Sequence, residues 1–200
     1  MEDHHASRPV LCLAGERTAL GPLRHDLAPL YHAWHNAVET TRTYALPTPL
    51  TLEQQEALVA TLSTSPDQAF FTIYESAGWQ PIGMTYLTDI DHRHRRAEFG
   101  ILIGDPAWRG QGLGTEATRL TVDFAFSVLG LHNVLLRVYA YNLSGQRAYA
   151  KAGFRECGRR RECHWMAGKL WDEISMDCLA TEFTSPVLGQ IIVPDSPVQG

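Results

Sequence analysis

The chain has 200 residues, 44% hydrophobic and 20% charged, enough for one domain that buries roughly 70% of its unfolded surface. Its formal net charge of −5 argues against a nucleic-acid binder, which would present a basic face. The opening MEDHHASRPVLCLAG carries acids and only a short apolar run, so it reads as neither signal peptide nor membrane span, and no later stretch is long enough to span. A cytoplasmic protein without membrane contact is predicted.

Residues 1–9 read as frayed, and 16–23 as a first strand. A helix follows over 26–37, with Asp26 as its predicted N-cap and Leu27, Leu30, Tyr31 and Trp34 on one side. A second helix, 51–62, opens on a capping-box pattern, Thr51-x-x-Gln54, and is set off by prolines around Pro47–Pro49 and at Pro66. The periodicity then becomes that of strands: 69–75 and 81–88, joined by SAGWQ, and then 97–104. The longest predicted helix runs from Gly112 to Leu129, with Leu113, Ala117, Leu120, Phe124 and Val128 as its apolar stripe and Gly130 as its stop. A strand over 133–140, a short helix over 143–153 and a closing hairpin around MAGK complete the pattern. Consecutive hairpins followed by strand–helix–strand crossovers predict a mixed α/β sheet flanked by helices. The tail from Thr184 reads as an irregular, proline-containing extension with a short apolar island suited to packing on a partner chain.

The short basic clusters Arg93, Arg95, Arg96 and Arg159, Arg160, Arg161 read as solvated loop and edge-strand charges. Cys12, Cys157, Cys163 and Cys178 contain no CxxC pair, so reduced, buried thiols are predicted. His4/His5, His92/His94 and Cys163/His164 match no zinc spacing, and no metal is expected.

The informative stretch is PAWRGQGLGTEA, 106–117, where Gly110, Gly112 and Gly114 occupy alternate positions at the start of a helix. Glycine there costs up to about 1 kcal/mol against alanine, and a tight strand-to-helix turn is one reason to accept it. The other is a close approach of backbone to an anion. Gly114 is followed by Thr115 and Glu116 without the lysine of a Walker loop, and the spacing is not GxGxxG. The helix's first amides are unsatisfied and its positive dipole end attracts phosphate.

Arg109-x-x-Gly112-x-Gly114 after a strand, followed by NLSGQRAYAKAGF from Asn142 to Phe154, resembles the GCN5-related N-acetyltransferases (GNAT). The similarity points to the branch holding spermidine and ribosomal-protein alanine N-acetyltransferases. It covers 81–180 best, is looser over 13–80, and says nothing of 184–200. It implies a GNAT-like, partly split mixed sheet of about seven strands with helices on both faces, in a single domain over 1–183 followed by an extension, 184–200.

The resemblance also implies acetyl-coenzyme A as cosubstrate, lying on the strand 97–104 where it splays from 133–140. Backbone groups of Ile101, Leu102 and Ile103 would hold the pantetheine arm. The amides of Arg109, Gly110, Gln111 and Gly112, then of Leu113, Gly114 and Thr115, would hold the pyrophosphate. Asn142 would flank the coenzyme, cap the helix that follows it, or both. Tyr149 stands where the family places a proton donor to the leaving thiolate; the alternative is a core residue of a short amphipathic helix. Glu98 lies on the strand face of Gly100 and Leu102, either accepting the acceptor's proton, binding a cationic acceptor, or forming a surface ion pair. His92 and His94 are reserve bases.

The implied function is transfer of acetyl from acetyl-CoA to a primary amine, on a small cation or at a peptide N-terminus. Other acyl donors stay open. Trp34, Glu39 and Tyr44 are candidate acceptor contacts, and a homodimer stays open. The alternatives are a non-catalytic acyl-CoA-binding regulator on the same fold and a partner-binding module in which the glycines serve only a turn.

Overall fold

The computed structural model describes residues 8–43 and 48–193. Tyr44, Pro47, His4, His5 and most of the predicted frayed start lie outside them.

Among the described residues eight strands form one sheet. They are β1 (Leu13–Ala14), β2 (Thr18–Pro22), β3 (Ala69–Glu75), β4 (Pro81–Asp91), β5 (Arg96–Ile103), β6 (Asn133–Tyr139), β7 (Arg155–Met166) and β8 (Lys169–Leu179). Their order is β1-β2-β3-β4-β5-β6-β8-β7. The expected seven becomes eight because β1, two residues long, folds back on β2, pairing Leu13 with Leu20. Every neighbouring pair is antiparallel except β5 and β6, so the sheet is mixed as expected.

The described residues form six α-helices: α1 (Ala28–Asn36), α2 (Val38–Thr41), α3 (Leu52–Leu62), α4 (Leu113–Asp123), α5 (Leu143–Ala152) and, after the last strand, α6 (Leu188–Ile191). They lie on both faces. Strand alternation sends Phe99 of β5 and Val134, Leu136 and Val138 of β6 into a core shared with Val122 and Ala152. It sends Met84 and Leu102 to the opposite face, onto Ala28, Tyr31, Trp34 and Val59. Trp34 is therefore core, and its ring fills the space a side chain at Gly104 would need, where a Cβ would come within 2.1 Å.

The capping box of α3 forms as predicted: the Gln54 amide donates to Thr51 Oγ1 at 3.3 Å, and the Thr51 amide donates to Gln54 Oε1 at 2.9 Å. Asp26 does not cap α1. Its carboxylate pairs with Arg24, a 3-10 turn (His25–Leu27) precedes the helix, and the cap position is Leu27, without a side-chain cap. A two-residue spacing within reach of a guanidinium won over the capping geometry. Of the cysteines only Cys178 is buried; Cys12 and Cys157 are exposed and Cys163 is half-buried, all four as free thiols. The expectation of buried thiols fails on β7 because that strand is the sheet's edge, with both faces largely in water.

The predicted 112–129 helix is continuous, but its pattern breaks. After Asp123 the chain widens into a π turn (Phe124–Val128), where the Leu129 amide donates to Phe124 O five residues back. Wider turns shift the helical phase, so the apolar stripe ends early and Val128 stands 48% exposed.

Asp123, fully buried, organises this end of the molecule. Ser127 Oγ donates to its Oδ1 at 2.9 Å, while Oδ2 accepts from Ser185 Oγ at 2.9 Å, the Val187 amide at 3.2 Å and the Leu188 amide at 2.9 Å. The described part of the tail thus packs on its own chain, with Leu188 buried beside Leu13, Leu20 and Leu120. Asp123→Ala strands four donors that have no other acceptor of equal quality. It should lower the urea-unfolding free energy by about 2–4 kcal/mol and release the 185–189 amides to hydrogen exchange. Unchanged stability with intact protection of those amides would refute this anchoring role.

Candidate active site

β5 and β6 pair over three positions only, Arg96 with Asn133, Ala97 with Val134 and Glu98 with Leu135. Beyond Glu98 they part, although β5 stays paired with β4 through Ile103 and β6 with β8 through Tyr139. The edge of β5 from Phe99 to Ile103 therefore lacks a strand on one side, and a cleft of about 380 Å³ opens there. Ile101, Leu102 and Ile103 line it, as do Arg109, Gly110, Gly112, Gly114 and Thr115 across the mouth and Asn142 and Tyr149 from α5. Gln111, Leu113 and Glu98 do not line it.

The loop before α4 shows why the glycines are there. Gly110 and Gly112 take φ of 74° and 85°, a left-handed backbone that β-carbons disfavour. Gly114 needs no such freedom, and a Cβ there would only touch Ile103 at 3.6 Å, an ordinary contact. Nothing in the fold explains that glycine; open access to the cleft does. The Arg109 amide donates to Pro106 O at 3.1 Å, so the first of the seven expected anion-binding amides is already engaged. Among the described residues the amides of Gly110 to Thr115 have no acceptor, a run of unpaired N–H groups at a positive helix end. Leu113 contributes only its amide, since its side chain is core. Gln111 turns its side chain onto Ala107 O at 2.6 Å and gives its carbonyl to Arg17 Nη1 at 2.8 Å.

The Arg109 side chain is a fastener that sequence reasoning did not foresee. Its guanidinium donates to Ile103 O at 3.1 Å, Gly104 O at 3.2 Å and Thr40 Oγ1 at 3.0 Å, and lies 3.7 Å from Glu39. It ties the end of β5 to α2, so its guanidinium is spent on the chain's own carbonyls and Thr40.

On the other wall Asn142 caps α5, its Oδ1 accepting from the Gly145 amide at 3.0 Å and from Ser144 Oγ at 3.1 Å, while also lining the cleft. Tyr149 packs edge-on against Phe99, with ring centroids 6.2 Å apart, and its hydroxyl has no hydrogen-bond partner among the described residues. Burial pushes its pKa up to about 12. Tyr149 and the amide loop thus face one slot from opposite sides.

Glu98 is held elsewhere. Both its oxygens accept from Arg137 of β6, at 2.9 Å and 2.5 Å, on the face of β5 that carries Gly100 and Leu102. His92 and His94 sit in the β4–β5 turn, at the opposite end of β5 from the cleft, and His94 is engaged by Asp91 at 2.7 Å. Among the described residues no group of three metal-ligating side chains gathers and no helix is long and apolar enough to cross a membrane.

A family model described as an acetyltransferase (GNAT) domain matches residues 17–155, and the chain belongs to that family. The spermidine N(1)-acetyltransferase of Escherichia coli strain K12 is 37% identical over 94 residues, 47% of this chain and 50% of that protein; the chain thus spans half the length of that relative. The alpha/beta-tubulin-N-acetyltransferase 9 of Homo sapiens is 29% identical, over 72% of this chain and 75% of that protein. Among solved structures, a Vibrio cholerae spermidine N-acetyltransferase in complex with CoA and spermine superposes with a TM-score of 0.78 at 23% identity, covering 84% of this chain and 98% of that one, a likeness of fold.

The raised pKa of Tyr149 has a stability consequence. A tyrosine near pKa 10 in the unfolded chain and about 12 in the folded one binds its proton more tightly when folded. The stabilisation is complete below about pH 10 and is lost as pH rises toward the folded value. Tyr149→Phe should flatten the alkaline fall of the unfolding free energy by up to about 1.4 kcal/mol per pH unit, read by urea unfolding across about pH 9–11. An unaltered slope would mean that Tyr149 titrates as a free phenol.

Proposed function

We propose that the protein transfers an acetyl group from acetyl-CoA to a primary amine, both substrates bound together in the cleft between β5 and β6. The observation that carries this is the run of acceptor-free amides from Gly110 to Thr115 at one end of an unpaired β5 edge, facing Tyr149. These residues fit the coenzyme. The amides suit a pyrophosphate, the bare edge of β5 suits the amide-bearing pantetheine arm, and Gly114 keeps the path clear.

When bound, acetyl-CoA supplies a thioester whose carbonyl carbon takes the amine's lone pair. The Gly104 amide donates to Ile82 O and Leu102 stands opposite Met84, so the Leu102 amide faces β4; the amide on the open edge of β5 that serves as donor to the carbonyl oxygen is that of Ile101. Tyr149 holds its proton at the hydroxyl through the working pH range and donates it toward the departing thiolate as the C–S bond breaks and the C–N bond forms. Burial favours the neutral, protonated phenol of Tyr149. The amine's proton leaves to water or to Glu98 once the Arg137 pair opens. The acceptor approaches from the face carrying Glu98, Arg137 and α2. Relatives named for spermidine and for tubulin support an amine acceptor, small or polypeptide.

Gly114→Ala, Tyr149→Phe and Glu98→Gln test this. Gly114→Ala should leave stability unchanged or raise it by up to about 1 kcal/mol while weakening coenzyme binding about tenfold. A purely structural glycine would do the reverse. Gly112→Val, by contrast, adds backbone strain of about 1–3 kcal/mol and mixes the two effects. Tyr149→Phe should bind CoA as the parent does and lose about 10²–10⁴ in turnover; a loss under about threefold would refute the donor role. Glu98→Gln should change the pH profile of amine acetylation if Glu98 accepts the proton, and leave it unaltered if it serves only the Arg137 pair.

A further inference from the structure

The family match ends at residue 155, yet the tail returns to the mouth of the cleft. A second cavity, of about 510 Å³, shares Gly112, Thr115 and Lys151 with the first and is closed on its far side by Pro186 and Val187. It thus adjoins the unpaired amides, and Tyr149 does not line it. Its charged groups are Glu16, Glu116, Arg119 and Lys151. Glu116 is engaged, its Oε1 accepting the Arg17 amide at 2.9 Å.

The two cations lack carboxylate partners. In a chain of net charge −5, neither Arg119 nor Lys151 has a carboxylate within ion-pair distance among the described residues. Arg119 Nε is buried without an acceptor, and Nη2 makes only a long bond of 3.4 Å to Thr184 O. An orphaned buried donor of a guanidinium is rare unless a ligand completes it. The wall opposite is held in place, since Asp123 fixes the Val187 and Leu188 amides and Leu188 is buried in the core.

We propose that the segment 184–191, anchored by Asp123, walls a subsite for the 3′-phosphoadenosine end of coenzyme A, with Arg119 and Lys151 as partners of the 3′-phosphate. It rests on the cleft being the acetyl-CoA site: with the pyrophosphate on the amides of Gly110 to Thr115 and the pantetheine arm on β5, the nucleoside leaves the loop into this second cavity. The tail thereby becomes part of the coenzyme site.

Calorimetry with CoA and with dephospho-CoA, which lacks the 3′-phosphate, tests this on the full chain. The unaltered protein should bind CoA at least about tenfold more tightly than dephospho-CoA. Arg119→Met with Lys151→Met should bring the two affinities within about threefold by weakening CoA alone. In parallel, CoA should slow hydrogen exchange at the Val187 and Leu188 amides, whereas 4′-phosphopantetheine, lacking the nucleoside, should not. If CoA binds tightly but the ratio is near one, or the tail amides are indifferent to it, the subsite is overturned and the cleft assignment stands. If the unaltered chain binds neither coenzyme, the cleft assignment falls and the subsite with it.

Discussion

The parting of β5 and β6 after three paired positions is the constraint on which the rest of the site depends. Each strand is pinned on its other side, β5 by β4 and β6 by β8, so the gap between them is a stable feature of the sheet. An open strand edge inside a sheet leaves backbone groups that need partners. Here they form one wall of a cleft, and every other functional element is arranged around its length: the amide loop at the end of β5, α5 across from it, and α2 over the mouth.

Within the glycine loop, charge and backbone have separate tasks. An arginine beside a phosphate loop invites the idea that its side chain meets the phosphate. Arg109 instead bonds two carbonyls and a threonine of its own chain, which fixes where the loop leaves β5. Six amides beyond it remain without acceptors among the described residues, and their direction depends on that anchoring. Glycine serves two ends there, conformation at Gly110 and Gly112 and clearance at Gly114.

The two ends of α4 treat their polar groups in opposite ways. At its start, unsatisfied groups remain open to a ligand. At its finish, the Asp123 carboxylate has its acceptor capacity filled by a side chain of the following π turn and by the tail. The helix thereby links the glycine loop to a segment that lies beyond the family's matched region.

Much of this was legible in the sequence. Periodicity marked the strands and helices from 51 to 179, and the Thr51/Gln54 capping box formed as read, because these are local properties of a few consecutive side chains. The motif residues Ile101–Ile103, Gly110–Thr115, Asn142 and Tyr149 were singled out by the resemblance of RxxGxG and NLSGQRAYAKAGF to the family's pattern. What the sequence could not decide depends on contacts between distant residues. Arg137 takes both oxygens of Glu98 from a strand 39 positions away, and nothing local to β5 announces it. Asp26 resembled a cap until Arg24 took its carboxylate. The four cysteines read alike, but the position of β7 at the sheet's edge left Cys157 exposed and Cys163 half-buried while Cys178 of β8 is core. The tail read as an irregular extension because its anchor, Asp123, is 62 positions from Ser185. Local pattern determined which elements form and where the motifs lie; only the tertiary structure decided which charges meet, since ion pairs and buried carboxylates are set by distance in space.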